Sequence, residues 1–521
     1  MKKHIRFAAL AAGLALLTAP LNTFAGESQN PFDTVLPGDT NLDSTVDIMD
    51  VLRINKQLLG VIDLDPLESF AADVDKSDHI DQKDSLLILK YVLEMIDNFE
   101  GRTEYPVTED ARLLAAAEYP AFPSYPVVGA GHSGDYGIWE QAVQKYRNQP
   151  RGYQDGFSTF FNKSTPVFLQ NDDGENHIYS PISLYMALGM SAELTDGDTR
   201  QQILDVLAQR DMKMLRSHAR SIWQANYMDD GMAKSLLTTS LWANDSFTCK
   251  PETLDALTGY YYASAFSGKP GSADYDKLFQ TWLNQNTGGN LENYVSDLHL
   301  DPMSVLTLAS TIDFSGKWYD DFEEDMNENG TFHAVKGDQP CELMTKRDSR
   351  VYYCGEGFGA IHLTLENNGY MRLILPDEGV TPEDLLKNPE LMKYLTDTGE
   401  NVEHTYTMVH LSVPKFDVSS KTELRDGLEK IGITDIFDKD KADFSPLTDT
   451  PEGIFLSKAE QDARVSIDEQ GCSASALTVM PYVGAALPDG EVWFTMDRPF
   501  MFEIMSETNM PLFVGIVNQV E

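Results

Sequence analysis

The sequence predicts a multidomain protein, a small all-α module made of two loop-helix repeats followed by a larger α+β domain. Two acidic twelve-residue loops, beginning at Asp39 and Asp73, recur 34 residues apart, and each runs into a helix with an apolar face. Farther along, Leu184 to Met190 is apolar nearly all round, as a buried helix must be, whereas Met408 to Phe416 alternates with the period of two that strands show. The 521 residues also exceed what one core usually supports. With 82 acidic against 40 basic residues the net charge is -42, which argues against nucleic acid or an anionic membrane as partner.

At the start, Lys2, Lys3 and Arg6 precede an apolar run from Phe7 to Leu17, and Thr23-Phe24-Ala25 ends it like a cleavage site. Residues 1–25 therefore read as a secretory signal peptide. Its apolar core is too short to span a bilayer and no later run of twenty apolar residues exists, so a secreted, soluble protein without membrane insertion is expected.

In the first loop Asp39, Asn41, Asp43, Thr45 and Asp50 stand at positions one, three, five, seven and twelve. A hard cation such as Ca2+ takes several carboxylate and carbonyl oxygens around one tight turn, which this spacing supplies. Val51, Leu52, Ile54 and Leu58 then form a helical face that stops at Gly60. Asp73, Asp75, Ser77, His79 and Asp84 repeat the pattern and lead into a helix from Leu86 to Met95. From Leu36 to Asn98 there are 14 acidic and 5 basic residues, a net of -9 that metal binding would relieve, so calcium is expected to be required for folding.

Two EF-hand-like loops in tandem, each with a single helix, resemble the dockerin family. The resemblance implies a calcium-dependent module over residues 36–98 that docks its cargo onto a cohesin of a scaffoldin, placing the protein on an extracellular, cell-surface cellulosome. Ser44 and Asp78 replace the sharp-turn glycine, so the second site is expected to bind more weakly or not at all. In that family positions ten and eleven touch the cohesin; here they are Ile48 and Met49, then Gln82 and Lys83, and Ile48 and Met49 equally suit the module's own core.

Residues 99–150 shift to Tyr-Pro and Gly, as in Tyr119-Pro120-Ala121-Phe122-Pro123, and read as a linker with short helices at 110–118 and 138–146. Residues 151–521 form the larger domain. Its critical stretch is Asp468 to Met480, where Cys472, Ala474, Ala476, Thr478 and Met480 would share one strand face. That face is apolar but unusually small, so the segment could enter between two strands without overfilling the core.

With its flanks, Val465-Ser466-Ile467-Asp468-Glu469 before it and Arg498-Pro499-Phe500-Met501-Phe502 after it, this stretch resembles the C-terminal signature of the serpins. Asn176 to Ser183, the Gly197-Asp198-Thr199 cap and Leu306 to Trp318 extend the likeness. It implies an α+β serpin fold of three sheets, eight or nine helices and an exposed reactive loop, monomeric and without a cofactor of its own. The function it implies is suicide inhibition of a serine peptidase, with a cysteine peptidase as a further target class, and no enzymatic activity.

On that resemblance the hinge comprises Glu469, Gly471, Cys472, Ser473, Ala474, Ser475 and Ala476. The scissile bond falls between Ala485 and Ala486, within a window from Val483 to Leu487. Ser180, Trp318 and Lys415 belong to the region where the sheet opens, Lys415 pairing with Glu469. Small residues at the scissile bond suit an elastase-like or subtilisin-like peptidase, and Thr478 to Val492 has no Lys or Arg for a trypsin-like one. Ser310-Thr311 and Gln461 depart from the family pattern, which would alter how readily the sheet opens.

A disulfide to Cys472 would tether the moving segment, which leaves Cys341 and Cys354 as the pair to consider, with Cys249 the fourth cysteine. Gly131-His132-Ser133-Gly134-Asp135 lacks the last glycine of a nucleophile elbow, and no H-E-x-x-H, C-x-x-C or phosphate-binding glycine loop is present. Two alternatives stand beside inhibition, a non-inhibitory binding module on the scaffold and a dockerin-borne hydrolase.

Overall fold

Asp47 caps the first helix, α1 (Ile48–Leu58), and Asp50 closes a capping box with it. The structure, a computed structural model, describes residues 36–520 apart from 44, 63, 75–79, 81, 93–104, 124–132, 171–172, 231–232, 288–297, 367–368, 398, 400–401 and 473–488. The expected signal peptide lies outside them. Helix α2 (Pro66–Ala72), not anticipated above, carries its own signal: Asp65 and Glu68 form a second capping box around a proline in the first turn. With α3 (Gln82–Val92) it completes a small core of Val51, Ile54, Ala72, Val74, Leu87 and Ile88.

The larger domain contains α4 (Ser133–Arg147), α5 (Phe157–Leu169), α6 (Pro181–Leu194), α7 (Gly197–Val206), α8 (Met212–Asn226), α9 (Pro251–Tyr261) and α10 (Ala273–Asn286). Then come α11 (Pro382–Leu385), α12 (Pro389–Thr396) and α13 (Arg425–Ile431). These ten helices among the described residues exceed the eight or nine expected.

The first half of the strands runs β1 (Ala111–Ala115), β2 (His177–Tyr179), β3 (Met228–Asp229), β4 (Lys234–Asn244), β5 (Ala263–Gly268), β6 (Leu306–Lys317), β7 (Glu328–Ala334), β8 (Gly337–Gly355) and β9 (Phe358–Thr364). The rest are β10 (Tyr370–Pro376), β11 (Glu403–Pro414), β12 (Phe416–Glu423), β13 (Leu456–Asp468), β14 (Gly471–Cys472), β15 (Glu491–Thr495), β16 (Phe500–Met505) and β17 (Pro511–Val517).

One sheet is ordered β1-β5-β4-β6-β14-β13-β12 with β3 against β4, and the other β15-β11-β8-β9-β10-β16-β17-β2 with β7 against β8. Among the described residues the strands join into two sheets where three were expected, because β8 pairs with β7 and β11 and, at its far end, with β9, fusing what would be separate layers. Cys341 and Cys354 both sit on β8, 13 residues apart. At about 3.3 Å per residue they are roughly 40 Å from each other, so the disulfide considered above does not form, and both are free thiols.

Residues 110–118, expected to be helical, instead contain β1, which pairs antiparallel with the outer edge of β5, Ala111 opposite Gly268 and Leu113 opposite Phe266. The helix expected at 138–146 is the C-terminal part of the longer α4. Between the sheets lies α6, every one of whose residues is buried, packed against β4, β6 and β17. Ser180 caps it and Pro181 occupies its first turn, as their chemistry dictates. Among the described residues no helix is long and apolar enough to cross a membrane.

Candidate functional site

The site is a seam between β6 and β13. At its lower end the two strands pair directly, Leu456 opposite Leu306 through Gln461 opposite Ser310. At its upper end β14 lies between them, Gly471 opposite Lys317 and Asp468, Cys472 opposite Gly316 and Ile467. Between these ends, residues 311–315 and 462–466 form no ladder with each other.

The turn from β13 into β14 is held by Asp468, whose carboxylate accepts from Gln470 N at 2.9 Å and Gly471 N at 3.1 Å. Gly471 has φ 149°, and a Cβ there would lie 2.4 Å from Gly316 O and 2.6 Å from Lys317 Cα. Both obstacles are backbone, so only glycine fits. Ser473, Ala474, Ser475, Ala476, Ala485 and Ala486 lie outside the described residues.

Above the seam, Trp318 is 2% exposed and its indole N–H donates to Asp468 O at 2.9 Å. Its backbone N–H donates to Gln470 O at 3.1 Å, and Phe322 N to Glu469 O at 3.0 Å. Lys415 Nζ meets Glu469 Oε1 at 2.5 Å and Glu342 Oε2 at 3.1 Å. Asn327 donates to both carboxylates, so the expected pair is part of a four-residue cluster. Asn327 and Glu342 carried no signal in sequence because β7, β8 and the β11–β12 junction come together only in the fold.

Burial opposes ionisation of Glu469, but hydrogen bonds from Lys415 and Asn327 outweigh it and hold the carboxyl below the usual range. Desolvation likewise works against charge on Lys415, and hydrogen bonds to Glu469 and Glu342 push its pKa up.

Below the seam, Ser180 is 1% exposed and its hydroxyl donates to Ser183 Oγ at 2.9 Å while accepting from Ser183 N. Ser310, on β6, donates to Ser183 O at 3.2 Å. Gln461, on β13, accepts from Ser180 N at 2.7 Å and donates to Ser180 O at 3.0 Å. The N-terminus of α6 is thus bonded to both strands that border the seam.

In the small module, Asp39 and Asp50 are buried, and Asp50 accepts from Thr40 Oγ1, Asn41 N and Asp47 N. Asp43 N donates to Asp39 Oδ1 at 3.0 Å and Asn41 Oδ1 at 2.9 Å, and Asp43 Oδ1 accepts from Thr45 N. No three carboxylate, imidazole or thiol groups among the described residues converge tightly enough to form a cage by themselves. The turn nevertheless gathers two buried carboxylates with amide, hydroxyl and further carboxylate oxygens, a donor set that fits a hard cation.

In the second loop Asp84 is buried and accepts from Val74 N at 2.9 Å, and Asp73 ends α2; Asp75, Ser77 and His79 are outside the described residues. Ile48 and Met49 are 48% and 52% exposed, so they do not fill the module's core.

Residues 160–520 match the family model Serpin (serine protease inhibitor), and residues 37–93 match the dockerin type I domain. The chain is 27% identical over 368 residues to an uncharacterized serpin-like protein of Methanosarcina acetivorans, covering 68% of this chain and 83% of that one. It is 27% identical to alpha-1-antiproteinase S of Cavia porcellus, covering 73% and 94%. The native-state crystal structure of tengpin, a thermophilic serpin, superposes with a TM-score of 0.63 at 25% identity, over 71% of this chain and 95% of that one.

Proposed function

The chain belongs to the serpin family of serine protease inhibitors, and from that premise we propose that it is a secreted suicide inhibitor of an elastase-like or subtilisin-like serine peptidase, fixed by its dockerin to a cohesin-bearing scaffold. The observation that carries this reading is the half-open seam. In an inserted strand that continued the register of Gly471 and Cys472, Ala474 would stand opposite Phe314 and Val465, and Ala476 opposite Ile312 and Ala463. Val465 and Ala463 are buried, and Ile312 and Phe314 pack on the core, so the small residues of the hinge would turn inward while Ser473 and Ser475 turn out.

The peptidase's serine oxygen attacks the Ala485 carbonyl carbon, the bond to the Ala486 nitrogen breaks, and that nitrogen leaves as an amine carrying the proton transferred by the peptidase's base. The cut hinge then fills the seam, and each added residue exchanges solvent for two ladders. The peptidase, esterified to Ala485, is drawn along before water hydrolyses the ester.

Within the dockerin, Asp39, Asn41, Asp43, Thr45 and Asp50 would hold Ca2+, which supplies the central charge that lets those oxygens share one turn. Exposed Ile48, Met49 and Leu52 support α1 as the cohesin-facing element. Mixing the protein with an elastase tests the reading: a complex stable in denaturing detergent, with the cut located between Val483 and Leu487 by mass spectrometry, is expected. Cleavage without a complex would leave a non-inhibitory binding module.

A further inference from the structure

We infer that the outer face of β11 and β15, centred on Trp493, is a second recognition surface for the peptidase engaged on the reactive loop; this rests on the inhibitory reading above. Trp493 is 68% exposed, a large apolar area to leave in water. It stands directly opposite His410 in the parallel pairing of β15 with β11, and the two rings stack at 4.6 Å with 5° between their planes. By strand alternation Met408 and Tyr406 continue the same face, Tyr406 being 36% exposed.

The rim is ionic and paired within itself. Glu491 receives Arg347 at 3.2 Å and His410 at 3.2 Å. A partner covering Trp493 therefore meets a rigid aromatic platform whose neighbouring charges are already matched, and loses little side-chain entropy in the process.

Position names the occupant. β15 begins five residues after Ala486, and Trp493 lies seven after it, so an extended chain puts the ring within about 25 Å of the scissile bond. A peptidase of about 200 residues has a radius of gyration of about 16 Å, equivalent to a globule about 40 Å across, so the body of one seated on the loop spans the distance to this face. Among the described residues β15 is the terminal strand of its sheet. The complementary surface is an apolar patch on the peptidase beside the subsites that take residues after the cut, and a cationic surround would be drawn by the chain's net charge of -42.

The test uses the full chain, pancreatic elastase, and an elastase whose nucleophilic serine is replaced by alanine, so that binding is read without acylation or insertion. Trp493→Ala is expected to lower the association rate constant at least tenfold and to raise Kd for the serine-free elastase by a similar factor. The number of inhibitor molecules consumed per peptidase and the Tm should not change, and Trp493→Phe should recover most of the rate. A rate and Kd within twofold of wild type in Trp493→Ala overturn this surface while leaving inhibition standing. A wild-type chain that forms no covalent complex at all removes the inhibitory reading and this surface together.

Discussion

Gln461 grips both backbone polar groups of Ser180, its amide oxygen accepting from the N–H at 2.7 Å and its amide nitrogen donating to the carbonyl at 3.0 Å. Both residues are buried. Gln461→Ala is expected to cost about 1–3 kcal/mol of stability, since two buried groups lose partners at once. Urea unfolding followed by tryptophan fluorescence measures this, and Gln461→Glu, whose carboxylate would be buried facing the Ser180 carbonyl oxygen, should cost at least as much at neutral pH.

The Lys415–Glu469 latch predicts a pH window. Glu469 has its pKa held below the ordinary 4.5, so its contribution is complete above that pH and is lost as pH falls through the depressed value. Lys415 is raised above 10.5, so its contribution is complete below that pH and lost as pH rises through the elevated value. Lys415→Ala should weaken the closed sheet by roughly 1 kcal/mol, as expected of a partly exposed pair. Loss of inhibitory activity during mild heating should accelerate, and the difference from wild type should shrink in strong acid.

Insertion predicts an alternating mutational pattern. Ala474→Arg or Ala476→Arg would bury an unpaired guanidinium and should convert the protein into a substrate, cleaved without a detergent-resistant complex. Ser475→Arg, aligned by the same register with the exposed Arg464 and with Asp313, whose buried carboxylate pairs with Lys234, should retain more of the complex than either alanine variant. Equal effects at 474 and 475 would contradict the register.

Calcium removal should act on one part of the molecule only. With chelator, residues 36–92 are expected to lose helical signal while the unfolding transition of the larger domain stays where it was. Asp50→Ala should reproduce the effect at saturating calcium. Circular dichroism titration of the full chain reads both.

Elements whose local chemistry and tertiary role agree were legible in the sequence. Ser180-Pro181 announced α6, and the nearly all-round apolar run from Leu184 to Met190 announced its burial. Residues 111–117, Ala-Arg-Leu-Leu-Ala-Ala-Ala, misled because those residues are strong helix formers. The exposed edge of β5 offered a ladder that outweighed the preference.

Other features have no local signature at all. Arg372 and Glu503, 131 positions apart, form a fully buried pair at 2.8 Å, and Arg372 also donates to Tyr394 O at the end of α12. Neither strand advertises a charge at an inward position, so only the folded register could reveal it.

β1 belongs to the block of β4, β5 and β6 on one side of the seam, while β12 and β13 lie on the other. Admitting another strand parts these blocks by about 4.8 Å. The described chain of the larger domain enters the sheet through β1, so an anchorage through the proposed dockerin would attach to one of the two pieces that separate. A scaffold-bound molecule would therefore register each capture as a displacement at its own mooring.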